Sequence, residues 1–370
     1  MLYLKDILSP IVIVFTIITI GLILSKIKIF GISLDLSAVL IIAIIMGCLI
    51  AEYLPYINNN MFENNMSLLS KIGTALFVSS IGISSGNSFA NNFKKSNIVY
   101  FFIGSAMVCI SFVFANIISI IDTNIDKSIL SGMLCGALTS TPGLSAICES
   151  IGINSENAII GYGCTYIFGV IGVVLFVQII SKKSTTNTNT NIQVKNNNLT
   201  MPNIESLIYI GLSVILGYIL GNISIVNSSL GASGGILCSS ILIGLLISKC
   251  NKEKLNSSIL TIYRNFGLVL FFAGSGLPAG LKLNSTFNLL WFIYGVILTI
   301  IPIIFGYILC RLIVHKSALE TATTIAGGMT STPAIGVLIR NQKLDPDLTI
   351  YSFTYIGALL SIIICTKIFL

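Results

Sequence analysis

The chain has 370 residues, of which 55% are hydrophobic and 9% charged, and its mean hydropathy is +0.97. This composition excludes an ordinary soluble protein and is typical of polytopic membrane proteins. The net charge of +7 would suggest nucleic acid in a soluble protein, but here the basic residues lie between apolar runs. We therefore expect a lipid bilayer as partner and no nucleic acid. With His315 as the single histidine and no C-x-x-C pair among nine cysteines, we expect no metal, no cofactor, no catalytic residue and no enzyme.

Apolar runs occur in the same order in both halves of the chain, and most are long enough to cross the roughly 30 Å hydrocarbon layer. In the first half they fall at about 8–25, 36–54, 67–86, 97–121 and 157–181. In the second half they fall at about 204–221, 232–249, 258–277, 286–314 and 347–369. A further segment precedes the last run of each half, at about 128–150 and 317–341. Between the halves, a stretch rich in Thr, Asn and Lys at 181–203 predicts a flexible cytoplasmic linker.

Each further segment contains the same motif, G-A-L-T-S-T-P-G-L at 136–144 and G-G-M-T-S-T-P-A-I at 327–335. Hydroxyl side chains and a proline inside an apolar run predict a broken helix in lipid. Thr is a good N-cap, and Pro is tolerated in the first helical turn, where no N–H is needed. Each segment is therefore interpreted as a re-entrant hairpin, whose second arm is capped by Thr141 or Thr332 and starts at Pro142 or Pro333.

A helix N-terminus that faces a cavity at membrane depth attracts anions. We therefore predict that the two hairpin tips line one shared site, where hydroxyls and backbone N–H groups hold a carboxylate. The alternative is that the hydroxyls only satisfy backbone groups at the helix breaks. The candidate substrate-binding residues are Thr139, Ser140, Thr141, Pro142, Gly143, Thr330, Ser331, Thr332, Pro333 and Ala334.

The repetition extends beyond this motif, which predicts two repeats at 1–180 and 204–370. One matching set consists of Gly73, Phe77, Gly82 and Gly86 in the first half and Gly267, Phe271, Gly276 and Gly280 in the second. Small residues at this spacing favour close helix packing, and a surface along which a hairpin tip slides is the alternative. Pro278 and its neighbouring glycines predict local unwinding of the second copy.

Four residues of the last apolar runs of the two halves, together with Arg340, are secondary site candidates. Buried tyrosines need a hydrogen-bond partner, so for Tyr166 and Tyr355, with Thr165 and Thr354 before them, we expect helix-packing hydrogen bonds, and substrate contact is the alternative. Glu149 and Arg340 follow the two prolines at the same distance and are expected at the membrane interface. Arg340 is also a candidate for attracting anions from the cytoplasm.

The distribution of Lys and Arg predicts the topology. With five spans and a hairpin per half, one side of the membrane holds fifteen of these residues, Arg264 and Arg340 among them, and the other side holds five. A full sixth span in place of each hairpin would give thirteen and seven. The positive-inside rule favours the first arrangement. We therefore predict an all-α polytopic protein of the cell (inner) membrane, with inverted repeats and both termini outside.

At these motifs the sequence resembles the membrane region of the aspartate–alanine exchanger family. The paired T-S-T-P segments, the paired glycine segments and the two-fold repetition carry the resemblance, which covers nearly the whole chain outside the linker. It implies a secondary transporter that exchanges aspartate for alanine or moves other small carboxylates, by an elevator-like movement and usually as a homodimer. The linker at 181–203 has no room for the soluble regulatory domains that many relatives have between the repeats.

The leading functional hypothesis is an exchanger of small anionic or zwitterionic molecules. The first alternative is a cation-coupled symporter or an amino-acid exporter on the same fold. The second is an ion channel or a non-transporting membrane subunit of a larger complex. The substrate stays open, because hydroxyls and backbone N–H groups bind any carboxylate.

Overall fold

The structure is a computed structural model that describes residues 9–26, 28–29, 32–33, 36, 38–53, 60–91, 95–152, 155–181, 204–222, 224–225, 228–229, 231–250, 257–283, 290–340 and 347–369. Apart from Ser181, the predicted linker lies outside this described part. The division at this linker into domains 1–180 and 204–370 therefore stays a prediction.

The described residues of the first half form mainly helices. These are α1 (Pro10–Ser25), α2 (Ala38–Tyr53), α3 (Asn60–Asn91), α4 (Ile98–Ile121), α5 (Lys127–Ala137), α6 (Thr141–Ile151) and α7 (Ser155–Ser181). A 3-10 turn, Lys95–Asn97, precedes α4. Between α1 and α2, two-residue strands β1 (Lys28–Ile29) and β2 (Ile32–Ser33) form an antiparallel pair.

The second half has the same order of elements. Its helices are α8 (Ile204–Gly221), α9 (Gly231–Cys250), α10 (Ser257–Leu283), α11 (Leu290–Ile308), α12 (Ala318–Gly328), α13 (Thr332–Arg340) and α14 (Leu348–Phe369). A π-helical turn, Leu309–Ile313, follows α11. The antiparallel strands β3 (Ser224–Ile225) and β4 (Ser228–Ser229) lie between α8 and α9, as β1 and β2 lie between α1 and α2.

Eight of the described helices are long and apolar enough to span a membrane, namely α3, α4, α7, α8, α9, α10, α11 and α14. The apolar helices α1 and α2 are shorter, with 16 residues each. Large apolar side chains such as Ile11 and Ile120 are exposed on the helix surfaces, as contact with lipid requires. The protein is an all-α polytopic membrane protein, which confirms the predicted fold class. The arrangement of five spans and one re-entrant hairpin per repeat stays a prediction.

The described helices pack in two groups. In the first, which we call the α3–α10 group, α3 contacts α9 and α10, α2 contacts α10, α8 contacts α9, and α1 contacts α2. In the second, the hairpin group, α5 packs on α7, α12 on α14, α4 on α14 and α11 on α7, and the helices α6 and α13 both contact α7. Most pairings occur twice with the halves exchanged, such as α2 on α10 and α9 on α3. This is the pattern expected of two related halves.

The centre of the α3–α10 group is a close helix crossing at two matching glycines. A Cβ atom on Gly73 would lie 2.6 Å from the Gly267 carbonyl oxygen, and one on Gly267 would lie 2.7 Å from that of Gly73. The rings of Phe77 and Phe271 stack beside the crossing, with centroids 6.3 Å apart. Only glycine allows the two backbones to approach this closely.

The remaining glycines of the two segments also pack against helices. Gly82 and Gly86 face α9, and Gly276 and Gly280 face α2. These contacts correspond to the packing interpretation of the segments rather than to a sliding surface for the hairpin tips.

The expected unwinding at Pro278 is wrong, because α10 continues through it to Leu283. Proline removes one backbone hydrogen bond, but a membrane helix tolerates this where neighbouring helices support the chain. Here α2 lies against this turn, and the Cys48 thiol donates a hydrogen bond to the Gly280 carbonyl (3.3 Å).

Candidate functional site

The first T-S-T-P segment is a tight link between α5 and α6. Thr139 follows the last turn of α5 with a φ of 53°. The N–H of Ser140 donates to the Cys135 carbonyl (2.8 Å) and that of Thr139 to the Gly136 carbonyl (3.0 Å). These are the two bonds of a Schellman motif, in which the left-handed position is usually a glycine. A β-branched residue there is an outlier that the surrounding structure must hold in place.

The second segment repeats this backbone geometry. Thr330 follows α12 with a φ of 48°. The N–H of Ser331 donates to the Ala326 carbonyl and that of Thr330 to the Gly327 carbonyl, both at 2.9 Å. The two tips therefore have the same strained residue at the same place.

The two strained threonines bind each other's hairpin. The hydroxyl of Thr139 donates to the Met329 carbonyl (2.6 Å), and the hydroxyl of Thr330 donates to the Leu138 carbonyl (3.0 Å). Leu138 and Met329 are the residues that end α5 and α12, where carbonyls lack partners within the helix. The structure thus brings the two predicted tips into direct and reciprocal contact.

The predicted helix caps are wrong by one residue in the first hairpin. Ser140, not Thr141, caps α6, because its hydroxyl accepts the Gly143 N–H (3.3 Å). Leu138 ends α5, and the left-handed Thr139 that follows it leaves Ser140 in the cap position of α6. Ser331 likewise accepts the Ala334 N–H (3.4 Å) in the second hairpin.

The hydroxyl of Thr141, released from capping, lies 3.0 Å from the hydroxyl of the fully buried Tyr162. The side chain of its counterpart Thr332 lies outside the described part of the structure.

A cavity of about 360 Å³ lies beside the tips. Of the predicted site residues, its wall contains Thr139, Thr141, Pro142, Tyr166, Thr330, Pro333 and Tyr355. Ser140, Gly143, Ser331 and Ala334 are buried next to the tips instead. Hydroxyl, ring and backbone groups make the wall both polar and apolar, as small-molecule sites usually are. In the described part of the chain, no group of three or more His, Cys, Asp or Glu side chains is placed to hold a metal ion.

Comparison with known proteins identifies the family. The model of the aspartate–alanine exchanger family, described as Predicted Permease Membrane Region, matches residues 13–182 and again residues 209–370. The chain belongs to this family. The predicted resemblance is confirmed, and the two separate matches fit a duplicated domain.

Curated relatives of this chain are named as uncharacterized transporters. An uncharacterized transporter of Bacteroides thetaiotaomicron is 36% identical over 168 residues, covering 45% of this chain and 29% of the relative. One from Bacteroides fragilis is 37% identical over 171 residues, with the same two shares. One from Corynebacterium diphtheriae is 33% identical over 181 residues, covering 47% and 30%. The chain thus spans under a third of their length, and family and relatives indicate a membrane transporter or permease.

Some of the secondary candidates make hydrogen bonds within or between helices, and others line the cavity. Thr165 donates to the Met133 carbonyl (2.7 Å) and Thr354 to the Ile350 carbonyl (2.8 Å), so both threonines serve helix structure and packing. Tyr166 and Tyr355 lie in the cavity wall. Glu149 is exposed and accepts hydrogen bonds from the N–H and hydroxyl of Ser233 at the start of α9 (2.7 and 2.8 Å). The side chain of Arg340 lies outside the described residues.

The sequence analysis missed the polar residues that α3 and α10 contribute to the cavity. From α3 come Ser80, Ser84, Ser85 and Ser88, and from α10 come Thr261, Arg264 and Asn265. The topology prediction counts Arg264 among the fifteen basic residues of one side of the membrane, although Arg264 lies inside the predicted span 258–277. An arginine inside an apolar run was the signal that could have found it.

Proposed function

We propose that this protein is a secondary active transporter that exchanges amino acids or small carboxylates, with its substrate site at the two T-S-T-P tips. The observation that carries the proposal is the reciprocal pair of hydrogen bonds between Thr139 and Thr330 and the opposite helix ends, beside a polar cavity of about 360 Å³. This volume lies within the usual range for small-molecule sites, roughly 300–1,000 Å³.

The strained tips support the same site. A non-glycine residue in the left-handed region costs roughly 1–3 kcal/mol, and such residues cluster at functional sites. Here two threonines have this conformation at equivalent positions, and both line the cavity. The N-termini of α6 and α13 begin at the same tips, which favours binding of a carboxylate.

We propose an elevator-like movement of the hairpin group against the α3–α10 group, within two inverted repeats. The matched helix pairings and the two tips support the repeats. Side-chain contacts between the groups include Ser145 to Thr74 (3.4 Å) and Glu149 to Ser233, and a movement would exchange such contacts. A homodimer in the inner membrane with both termini outside completes the proposal.

The test is counterflow in proteoliposomes preloaded with unlabelled aspartate, alanine or succinate, using the variant Thr139→Val with Thr330→Val. Valine keeps the β-branched shape and removes the hydroxyls, so we expect uptake of labelled substrate to fall roughly 100-fold or more. Thr139→Ser with Thr330→Ser keeps both hydroxyls and is the matched control, which should retain uptake.

Unchanged exchange in a folded valine variant would contradict the site assignment. Uptake that needs a sodium or proton gradient and no internal substrate would favour the symporter alternative. Currents far above transporter turnover would favour a channel.

A further inference from the structure

The arginine of the cavity wall lies well inside a membrane helix. Arg264 is the eighth residue of α10, about 10 Å along the helix from its start. It is partly buried, and it lines the same cavity as Thr139 and Thr330. An ionisable side chain within a membrane helix is expensive unless it faces water or a partner, and it is a functional candidate by default.

The described part of the cavity wall contains a positive charge and no carboxylate. Among the described residues that line the cavity, Arg264 is the one that carries a charge, and the others are hydroxyl, amide, aromatic and aliphatic residues. The salt bridge found elsewhere in the described structure joins Lys316 to Glu320 and does not involve this wall. An anion that enters the cavity therefore meets a positive field in a setting of reduced dielectric, where charges interact strongly.

One nitrogen of the guanidinium is engaged by the neighbouring residue. Among the described residues, its hydrogen bond joins Nε to the Asn265 side-chain oxygen (3.4 Å). No described residue accepts a hydrogen bond from the two terminal amino groups of Arg264, which are the donors that this side chain brings to the wall. The terminal amino groups of an arginine match the two oxygens of a carboxylate, which a lysine cannot do.

The cation has no counterpart in the other half. Aligning the glycine segments places Ser70 of α3 opposite Arg264 of α10. The α3 face of the cavity instead presents the hydroxyls of Ser80, Ser84 and Ser88. The hydroxyls of Ser80, Thr139 and Thr330 already donate to backbone carbonyls, so Arg264 is the strong anion-binding element among the described residues of the wall.

We propose that Arg264 binds one carboxylate of the substrate and that this single cation makes the cavity prefer substrates of net negative charge over zwitterions. The inference rests on the proposed function, because it places a ligand at the T-S-T-P tips. A zwitterion brings an ammonium group as well, and the described wall offers it carbonyls and aromatic rings but no carboxylate.

The experiment uses the full chain in detergent and in proteoliposomes. The probes are succinate, aspartate and alanine, measured by ligand-induced thermal shift and by competition with labelled aspartate uptake. Arg264→Gln removes the charge and keeps a polar side chain, and Arg264→Lys keeps the charge without the planar fork. The matched control is Arg311→Gln, because Arg311 is exposed, binds the Lys316 carbonyl and does not line the cavity.

In the wild type we expect succinate and aspartate to bind more tightly than alanine. Arg264→Gln should weaken succinate and aspartate about 10- to 100-fold, the loss expected for hydrogen bonds to a charged group, and should reduce their advantage over alanine. The affinity of Arg264→Lys for succinate and aspartate should lie between those of the wild type and Arg264→Gln. Arg311→Gln should bind them as the wild type does.

Two results would overturn the inference while leaving the proposed function intact. One is Arg264→Gln protein that binds and exchanges succinate as the wild type does, while the Thr139 and Thr330 valine variant does not. The other is an Arg264→Gln variant in which binding of alanine and of succinate weakens equally. This would show that Arg264 binds any carboxylate and does not distinguish substrates by net charge. If the wild type bound and exchanged none of the three probes, the proposed function and this inference would both fail.

Discussion

The two hairpins have the same geometry at their tips, but their first arms, α5 and α12, pack differently. Both tips have a left-handed threonine that donates to the opposite helix end. In the arms, Gly132 of α5 and Thr323 of α12 occupy equivalent positions, 191 residues apart. A Cβ on Gly132 would lie 2.7 Å from the Ala158 Cα, so α5 lies directly on α7. Thr323 is fully buried, and its hydroxyl donates to the Leu319 carbonyl of its own helix (2.9 Å).

The tips are therefore alike although the arms pack differently, and the reciprocal bonds between the hairpins occur at both tips. Buried threonine hydroxyls satisfied within their own helix act much like apolar groups toward neighbours. Each arm can therefore pack against its own neighbour with different residues, while the reciprocal bonds keep the two tips equivalent.

The strongest test of this comparison is Gly132→Ala. The new methyl group would meet the Ala158 backbone, which cannot move aside as a side chain can, so we expect a loss of about 1–3 kcal/mol of stability. The readout is the midpoint of thermal unfolding in detergent. Gly211→Ala on α8 is the control, since a Cβ there has nothing within 4 Å. Equal midpoints for the two variants would contradict close packing of α5 on α7.

A second test concerns the buried Thr141–Tyr162 pair of the first hairpin. Tyr162→Phe leaves the Thr141 hydroxyl without the partner that now lies 3.0 Å away, and an unsatisfied buried polar group costs about 1–3 kcal/mol. A double-mutant cycle with Thr141→Val should therefore show coupling of about 0.5–3 kcal/mol in thermal unfolding. Additive effects would mean that this pair does not hold the tip.

The smallest expected change in stability concerns the N-terminal caps of α5 and α12, which differ between the two hairpins. Asp126 alone caps α5, accepting the Ser128 N–H (2.7 Å). The start of α12 is a capping box, in which Ser317 accepts the Glu320 N–H (3.2 Å) and Glu320 accepts the Ser317 N–H (2.9 Å). Glu320→Ala should cost about 1 kcal/mol at neutral pH. Asp126→Asn should cost less, because Asn caps as well as Asp and only the second carboxylate oxygen, which accepts the Asn157 amide on the surface (2.9 Å), is lost.

The Glu320 effect should depend on pH. Partial burial acts to raise the pKa of this carboxyl, but hydrogen bonds from Ser317 and Tyr100 and the charge of Lys316 hold the pKa below its usual 4.5. A lowered pKa means that the ionised group stabilises the folded state above the unfolded pKa and loses this contribution as pH falls through the folded one. The difference between wild type and Glu320→Ala should thus shrink below about pH 4.5. A constant difference between pH 7 and pH 3.5 would contradict it.

The sequence alone predicted the helices, the breaks and the family. Long apolar runs identify membrane helices wherever they fold, and hydroxyls followed by proline interrupt a helix locally. The same local reasoning failed by one residue at the cap, because it did not anticipate a left-handed Thr139. It also gave no sign that Arg264 lines the cavity, because a count of basic residues on each side of the membrane says nothing about the helix face on which a residue lies.

Only the tertiary structure decided what the polar side chains meet. The partners of Thr139 and Thr330 are 190 and 192 residues away in the chain, and the cavity wall joins α3 of one half to α10 of the other. Hydropathy and capping preferences act over a few residues and carry no information on such distant pairs. The packing of the two halves against each other determines these contacts. It decides which carbonyl accepts a hydrogen bond from each threonine hydroxyl and which cavity Arg264 lines.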